Sequence, residues 1–179
     1  MQVIPTASQV VVTGSGASGT VDDYGNINFT VATSISLNGV FTSRFKHYKL
    51  MLTTDSSATD YINFQLVTGT TPNTGSTYFY GGFNCSSSAI AFNSGSAAST
   101  FGRLGNATTG SSFANSMSAE VLNPQVAAYT RINSTGMYNN VGTQYNSAFN
   151  AATVFDGIKI IPQTGTTTLT GTVKIYGYN

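Results

Sequence analysis

Charged side chains are scarce in this sequence of 179 residues. Asp, Glu, Lys and Arg together make up 7% of it, whereas about 25% is usual for a soluble globular domain. The seven basic and six acidic residues leave a net charge of +1. A chain so close to neutral cannot rely on counterion release, which drives most binding to nucleic acids. The composition therefore argues against a nucleic acid as partner.

Cysteine, histidine and long apolar runs are scarce as well. Cys85 is the only cysteine, so no disulfide can form within the chain. Cys85 and the single histidine, His47, cannot supply the four ligands of a structural zinc site. No apolar run approaches the roughly 20 residues that cross a bilayer, and the first 20 residues lack the basic start of a signal peptide. The sequence thus predicts no cofactor and no membrane insertion.

Small polar residues take the place of charges. Thr, Ser, Gly and Asn, with 27, 21, 19 and 16 copies, account for 46% of the chain. The 11 Phe and 10 Tyr, within a hydrophobic fraction of 40%, are too many for a disordered chain. We therefore expect the sequence to fold, and its length fits one domain of ordinary size.

Short alternating segments between turn residues predict an all-β fold. Within residues 45–53, Tyr48, Leu50 and Leu52 fall on one face, because the side chains of a strand alternate. No segment shows the apolar period of a helix. About eight to ten short strands, with turn signals every 8–12 residues, predict an antiparallel β-sandwich of jelly-roll-like type with little or no helix.

The first 20 residues are predicted to lie outside the main domain, which would span 21–179. Residues 3–13 read as an extended arm or an edge strand, and the Gly/Ser-rich stretch 14–19 reads as a flexible linker. The branched apolar residues of this segment are Val3, Ile4, Val10, Val11 and Val12.

No arrangement of acids, bases and nucleophiles points to catalysis. Any Ser-His-Asp triad would need His47, whose neighbours in the sequence are basic. The six acids are dispersed, and Asp55 and Asp60 are most simply turn residues that bond to the local backbone. Asp22 and Asp23 also fit a turn, although their oxygens leave a calcium site open as an alternative. We predict that the chain is not an enzyme and assign no catalytic residue and no metal site.

The longest uncharged stretch covers residues 61–102, a run of 42 positions. Aromatic side chains with neutral polar neighbours suit protein contacts, so we predict a self-association or contact surface in this stretch. A charge introduced at Phe79 or Ile90 should disrupt folding or assembly more than one introduced at Thr167. The candidate contact residues are Tyr78, Phe79, Tyr80, Ile90 and Phe92.

Several motifs resemble those of a known group of proteins. The chain ends on a strand pair that closes with Gly-Thr-Val-Lys-Ile-Tyr-Gly, and its middle follows a strand, turn, strand, Gly-Ser-Thr-Tyr order. The segments that carry the likeness are 45–52, 62–66, 75–78, 155–162 and 169–177. Over residues 41–179 the chain thereby resembles the β-sandwich domains of tailed-bacteriophage virion proteins.

The resemblance implies a non-enzymatic structural protein on the exterior of a phage particle, commonly a homotrimer. Such domains occur on capsid decorations, head fibres and tail fibres. The implied partners are further copies of the chain, the major capsid protein or tail components. Because only about 40 residues precede the region of likeness, a capsid decoration or head-fibre protein docked through its N-terminal arm is favoured. The candidate docking residues of that arm are then Val3, Ile4, Val10, Val11 and Val12.

A second hypothesis is a receptor- or carbohydrate-binding module at the tip of a tail fibre. Its partner would be a glycan or receptor on the host surface. Aromatic rings with a polar end suit such contacts. The candidate sugar-contacting residues are Tyr129, Tyr138 and Tyr145.

Overall fold

Two antiparallel β-sheets make up the described part of the chain, which in the computed structural model is residues 2–3, 5–93, 95, 98–110 and 115–179. The larger sheet has ten strands: β1 (Gln2–Val3), β3 (Ser18–Val21), β4 (Ile27–Ala32), β6 (His47–Ser56), β9 (Tyr78–Cys85), β10 (Ile90–Asn93), β12 (Asn115–Leu122), β13 (Ala128–Tyr138), β14 (Val141–Thr153) and β16 (Leu169–Tyr178). The smaller sheet has six: β2 (Val10–Thr13), β5 (Ser34–Leu37), β7 (Asp60–Thr68), β8 (Thr71–Pro72), β11 (Gly102–Ala107) and β15 (Gly157–Pro162). A single 3-10 turn, Ala7–Gln9, is the only helical element in these residues.

The two sheets pack face to face as a sandwich. The larger sheet runs in the order β10-β9-β14-β13-β12-β6-β16-β4-β3, and the smaller one in the order β11-β7-β15-β5-β2. The predicted antiparallel sandwich is therefore confirmed, while the finer jelly-roll order of strands stays a prediction. The described residues form more strands than the eight to ten expected. One reason is that β11 is buried along its whole length and so lacks the polar-apolar alternation that marks a half-exposed strand.

The main core follows the strand alternation that the sequence shows. Leu50 and Leu52 of β6 point inward and meet Ile62 and Phe64 of β7 and Ile160 of β15 in one cluster. None of these five side chains is more than 1% exposed. Burial of each contributes roughly 1.5–3 kcal/mol, which makes this cluster the principal stabilising feature of the sandwich.

The N-terminal segment forms edge strands rather than a free arm. Strand β1 pairs with the end of β16, and β2 pairs with β5 along the edge of the smaller sheet. Val10 and Val12 pack against the core, whereas Val11 is exposed. Ile4 lies outside the described residues, and Val3 is described by its backbone pairing alone. Of the predicted docking residues, Val11 is thus the accessible one on β2.

Glycines carry the chain from the smaller sheet to the larger one between β2 and β3. Gly14 and Gly16 have φ angles of +146° and +73°, which side chains other than glycine rarely adopt. Gly19 lies so close to β2 that a Cβ there would be 2.4 Å from the Cγ2 of Val12. The stretch predicted as a linker is therefore a tight connection, and it closes this end of the sandwich.

Strand β11 is an edge strand whose free side is satisfied by serine hydroxyls. Strand β7 pairs with one side of it. On its other side, the Oγ of Ser147 accepts the backbone N–H of Arg103 at 3.1 Å and donates to the carbonyl of the same residue at 3.2 Å. The hydroxyl of Ser134 donates to the carbonyl of Leu104. A buried edge thus keeps its polar groups bonded without a further strand.

The larger sheet continues past β11 and encloses a second compartment. In β7, Tyr61 and Asn63 alternate with the core residues and so point away from the main core. Asn63 is nevertheless fully buried, and the Tyr61 hydroxyl donates to the Oδ1 of Asn93 on β10 at 3.2 Å. Strands β9, β10 and β14 therefore cover the outer side of the smaller sheet at this end.

Candidate self-association surface at the β9–β10 edge

Large apolar side chains are exposed where the larger sheet ends. Phe92 is 82% exposed, Ile90 is 60% exposed and Phe79 is 39% exposed. Phe83 stands opposite Phe92, and the centroids of their rings are 6.5 Å apart in an edge-to-face arrangement. All four side chains lie on the outer face of β9 and β10. We call Phe79, Phe83, Ile90 and Phe92 the aromatic edge.

The hairpin between β9 and β10 determines which backbone groups point to solvent. The N–H of Ser86 donates to the carbonyl of Ala89 at 2.9 Å, so these two residues form a hydrogen-bonded pair. Hydrogen-bonded and non-bonded pairs alternate along an antiparallel ladder. It follows that Ile90 and Phe92 direct their N–H and C=O groups away from β9, towards the open edge of the sheet.

The structure divides the predicted contact residues into exposed and buried ones. Phe79, Ile90 and Phe92 belong to the aromatic edge. Tyr78 is fully buried, and its hydroxyl accepts the N–H of Leu66 at 2.8 Å. Tyr80 is half-buried beneath the same sheet. Strand alternation turns both tyrosines inward, and the full burial of Tyr78 corrects the prediction that it contributes to a contact surface.

The three tyrosines predicted to contact sugars lie in different environments. Tyr145 is fully buried, Tyr138 is half-buried and Tyr129 is 58% exposed. Tyr129 and Tyr138 lie at opposite ends of β13, about 30 Å apart at the rise of an extended strand. Because its ring has no accessible face, Tyr145 cannot stack on a sugar, and that assignment is corrected.

A buried arginine lies in the compartment beneath the aromatic edge. Arg103 is 6% exposed, and its guanidinium carbon is 3.6 Å from the ring centroid of Tyr61 and 4.6 Å from that of Tyr80. Its Nε donates to the Oδ1 of Asn63 at 3.3 Å, and its Nη2 donates to the Oε1 of Gln163 at 2.6 Å. In the described part of the chain, the partners that stabilise this buried charge are therefore neutral rings and amide oxygens.

Amide side chains connect that compartment to β10. The Nδ2 of Asn93 donates to the hydroxyl of Tyr145 at 2.9 Å. The same hydroxyl lies 3.1 Å from the Oδ1 of Asn84 on β9 and 3.1 Å from the Oδ1 of Asn106 on β11. Strand β10 is thus held by its neighbour β9 and by side chains from the interior. The aromatic edge is preorganised, which lowers the entropy cost of binding to it.

Sequence reasoning missed Arg103 and its amide partners. A signal was present, because Arg103 ends the 42-residue run without charge and stands between a glycine and a leucine. A solvated charge normally has polar neighbours, so an isolated one in an apolar, glycine-rich segment indicates burial. The partners Asn63 and Gln163 carry no such signal, since both residue types are abundant on surfaces.

Buried tyrosines make the stability of the fold sensitive to alkaline pH. Desolvation raises the pKa of Tyr145 to about 12, although the positive charge of Arg103 acts to lower it. Desolvation also raises the pKa of Tyr78. In the unfolded chain both pKa values are about 10. Above pH 10 the unfolded chain therefore loses protons that the folded chain keeps, and the free energy of unfolding falls as the pH rises towards 12.

Titration of tyrosinate absorbance alongside circular dichroism measures this dependence. We expect a group of tyrosines to ionise late, together with loss of the β-sheet signal, and the Tyr145→Phe variant to show a shallower loss of stability with pH. Ionisation of all ten tyrosines near pH 10 with an unchanged β-sheet signal would contradict the expectation.

Asp22, one of the two acids considered for a calcium site, bonds to the local backbone. The Oδ1 of Asp22 accepts the N–H groups of Tyr24 and Asn26, each at 2.9 Å. A bond from the Asn26 side chain, followed by that from its backbone, lowers the pKa of this carboxyl. Asp60, which was predicted to be a turn residue, accepts the N–H of its neighbour Tyr61 and that of the distant Thr164, each at 2.8 Å. Among the residues that the structure describes, no three of His, Cys, Asp and Glu are grouped to hold a metal ion.

Two comparisons with known proteins give no match. No protein-family model matches this chain, and no curated protein matches it. Within the described ranges, no helix is long and apolar enough to cross a bilayer. The fold and the aromatic edge are therefore the features that point to a function.

Proposed function

We propose that this protein is a non-enzymatic structural protein on the exterior of a bacteriophage particle, where it assembles with copies of itself. The observation that carries the proposal is the aromatic edge. Natural proteins protect exposed strand edges with charges, prolines or bulges, yet β10 reads Ile-Ala-Phe-Asn. Contiguous exposed apolar surface of this kind marks a contact site.

The neutral surface supports the same role. With 7% charged residues, copies of the chain can approach one another with little like-charge repulsion and few ions to desolvate. The likeness of residues 41–179 to phage virion domains supplies the setting, a capsid decoration or head fibre whose second partner is the capsid protein. Exposed Val11 on the edge strand β2 is then the candidate for contact with that partner.

Two measurements test the proposal. Sedimentation equilibrium of the purified chain should show a homo-oligomer at micromolar concentration, and monomers alone would contradict self-assembly. Phage particles purified by density gradient from a host that carries the gene should contain the chain in many copies. Its presence in the lysate but not in the particles would contradict the virion role.

A receptor- or carbohydrate-binding module remains the second candidate function. On the outer face of the larger sheet, Lys49, Glu120, Asn133 and Gln144 line a cleft of about 190 Å³. Such side chains offer the donors and acceptors that a sugar needs. Binding to host polysaccharide that is lost in Asn133→Ala would favour this function, and a wild-type chain that binds none of these polysaccharides would contradict it.

A further inference from the structure

We propose that β10 pairs with β10 of a second copy across a two-fold axis, so that the two larger sheets become one continuous sheet. The inference rests on the proposed self-assembly and names its contact. Ile90 and Phe92 carry the outward backbone groups of this edge, and both have exposed side chains. The backbone of β10 thus offers a ladder to which a second strand can bond.

The hydrogen-bonding pattern selects one register for this pair. With Ile90 opposite Phe92 of the second copy, every outward N–H and C=O is bonded, which gives roughly four hydrogen bonds. A register that places Ile90 opposite Ile90 of the second copy, or Phe92 opposite Phe92, gives only roughly two hydrogen bonds. The preferred register places the axis at Ala91. The Ala91 residues of the two copies then stand opposite each other as a non-hydrogen-bonded pair, with a Cα–Cα distance of about 4.5 Å.

The side chains of the aromatic edge favour the same arrangement. In this register Ile90 of one copy lies beside Phe92 of the other on the outer face, and aromatic side chains next to β-branched ones stabilise paired strands. Ile90 is 60% exposed and Phe92 is 82% exposed. With the usual surface area of such side chains, the two together expose roughly 250 Å² per copy that pairing can bury. That is about a third of the 800 Å² that each partner buries in a stable complex, and the backbone edge and its rim add to it.

Two properties of this edge favour a second copy over a different protein. The edge carries no charge, in keeping with the uncharged run 61–102, so it neither repels its own copy nor attracts a charged partner. An antiparallel edge is also complementary to itself under two-fold rotation. Among the other described edges, β11 is bonded to serine hydroxyls, and β8 contains Pro72, which cannot donate a hydrogen bond.

Cysteine trapping tests the register directly. The exposed Cys85 is first removed by Cys85→Ser. In that background, Ala91→Cys brings two thiols to a pair whose Cα separation falls within the 4.4–6.8 Å that a disulfide requires. Val126→Cys, which is 47% exposed away from β10, is the matched control. On oxidation we expect most of the Ala91→Cys chain to run as a covalent dimer on a non-reducing gel, and the control to run as a monomer.

The outcomes separate this pairing from the proposed function. Cross-linking of Ala91→Cys no greater than that of the control contradicts the pairing, provided that circular dichroism shows both variants folded. If the wild-type chain is then still oligomeric in sedimentation, self-assembly stands and only the contact is wrong. A trimer, as the phage resemblance implies, or a cross-link to a different protein in a lysate would also contradict the two-fold pairing. A monomeric wild-type chain contradicts both proposals.

Discussion

Replacing Arg103 by alanine should lower the free energy of unfolding by about 3 kcal/mol. The variant loses the packing of the guanidinium on Tyr61 and Tyr80, and it leaves the acceptor oxygen of the buried Asn63 without a donor. Gln163, the other partner, is exposed, so its oxygen can bond to water instead. Cation–π contacts between desolvated groups contribute about 2 kcal/mol, and buried groups left unpaired cost about 1–3 kcal/mol. Urea unfolding followed by circular dichroism measures the difference.

Two further variants make this result specific. Arg131→Ala is the matched control, because Arg131 is exposed on the outer face of β13 and its loss should change the free energy by less than about 0.5 kcal/mol. Arg103→Lys keeps the charge but lacks the planar fork that bonds two amides at once, so we expect it to recover less than half of the loss. An Arg103→Ala variant as stable as the control would show that the charge contributes nothing to the second compartment.

A charge placed in the aromatic edge should dissociate the protein into folded monomers. Phe92 is 82% exposed, so Phe92→Asp changes the free energy of unfolding by only about 0.5 kcal/mol. In the assembly the same carboxylate would be desolvated beside an apolar neighbour, and truncation of such central interface residues costs at least about 2 kcal/mol. We expect the dissociation constant to rise by about 100-fold in sedimentation velocity, because repulsion between the copies adds to that loss.

The position of the control substitution for Phe92→Asp has to be exposed in the fold. Thr167, which the sequence presents as a neutral position, is 3% exposed, so a charge there would be buried and would test folding instead of assembly. The neighbouring Thr166 is exposed, and Thr166→Asp adds the same charge without touching the aromatic edge. Equal dissociation of the two variants, or none in Phe92→Asp, would show that the aromatic edge does not hold the copies together.

The sequence predicts the main core better than it predicts the second compartment. The inward face of β6 follows from alternation, because Leu50 and Leu52 are buried and apolar, whereas Lys49 and Met51, which alternate with them, face solvent. Alternation also assigns Asn63 to the outer side of β7, where a polar residue would be expected to meet water. It is buried because the larger sheet extends over it, and that cover comes from β9, β10 and β14, which are distant in the sequence.

The exposed aromatic edge was predictable as a stretch of the sequence but not as a set of side chains. The missing charges in residues 61–102 indicate a region that avoids ions. Period-two alternation further separates Phe79 from Tyr78 and Tyr80. Which of these faces meets solvent depends on where the smaller sheet lies, and no local pattern records that position. The sequence therefore placed Tyr78, Phe79 and Tyr80 on one surface, whereas the fold divides them.

The serines above β11 limit the number of sheet edges to which another strand can be added. Since Ser134 and Ser147 bond to the free side of that strand, the smaller sheet cannot add a strand there. At the far end, β2 and β3 lie against each other. If copies pair through β10 as proposed, growth at that edge stops once two copies have joined. Stacked strands propagate into fibrils only when each unit offers two edges, so the proposed pairing would cover the uncharged aromatic strand instead of leaving it to seed aggregation.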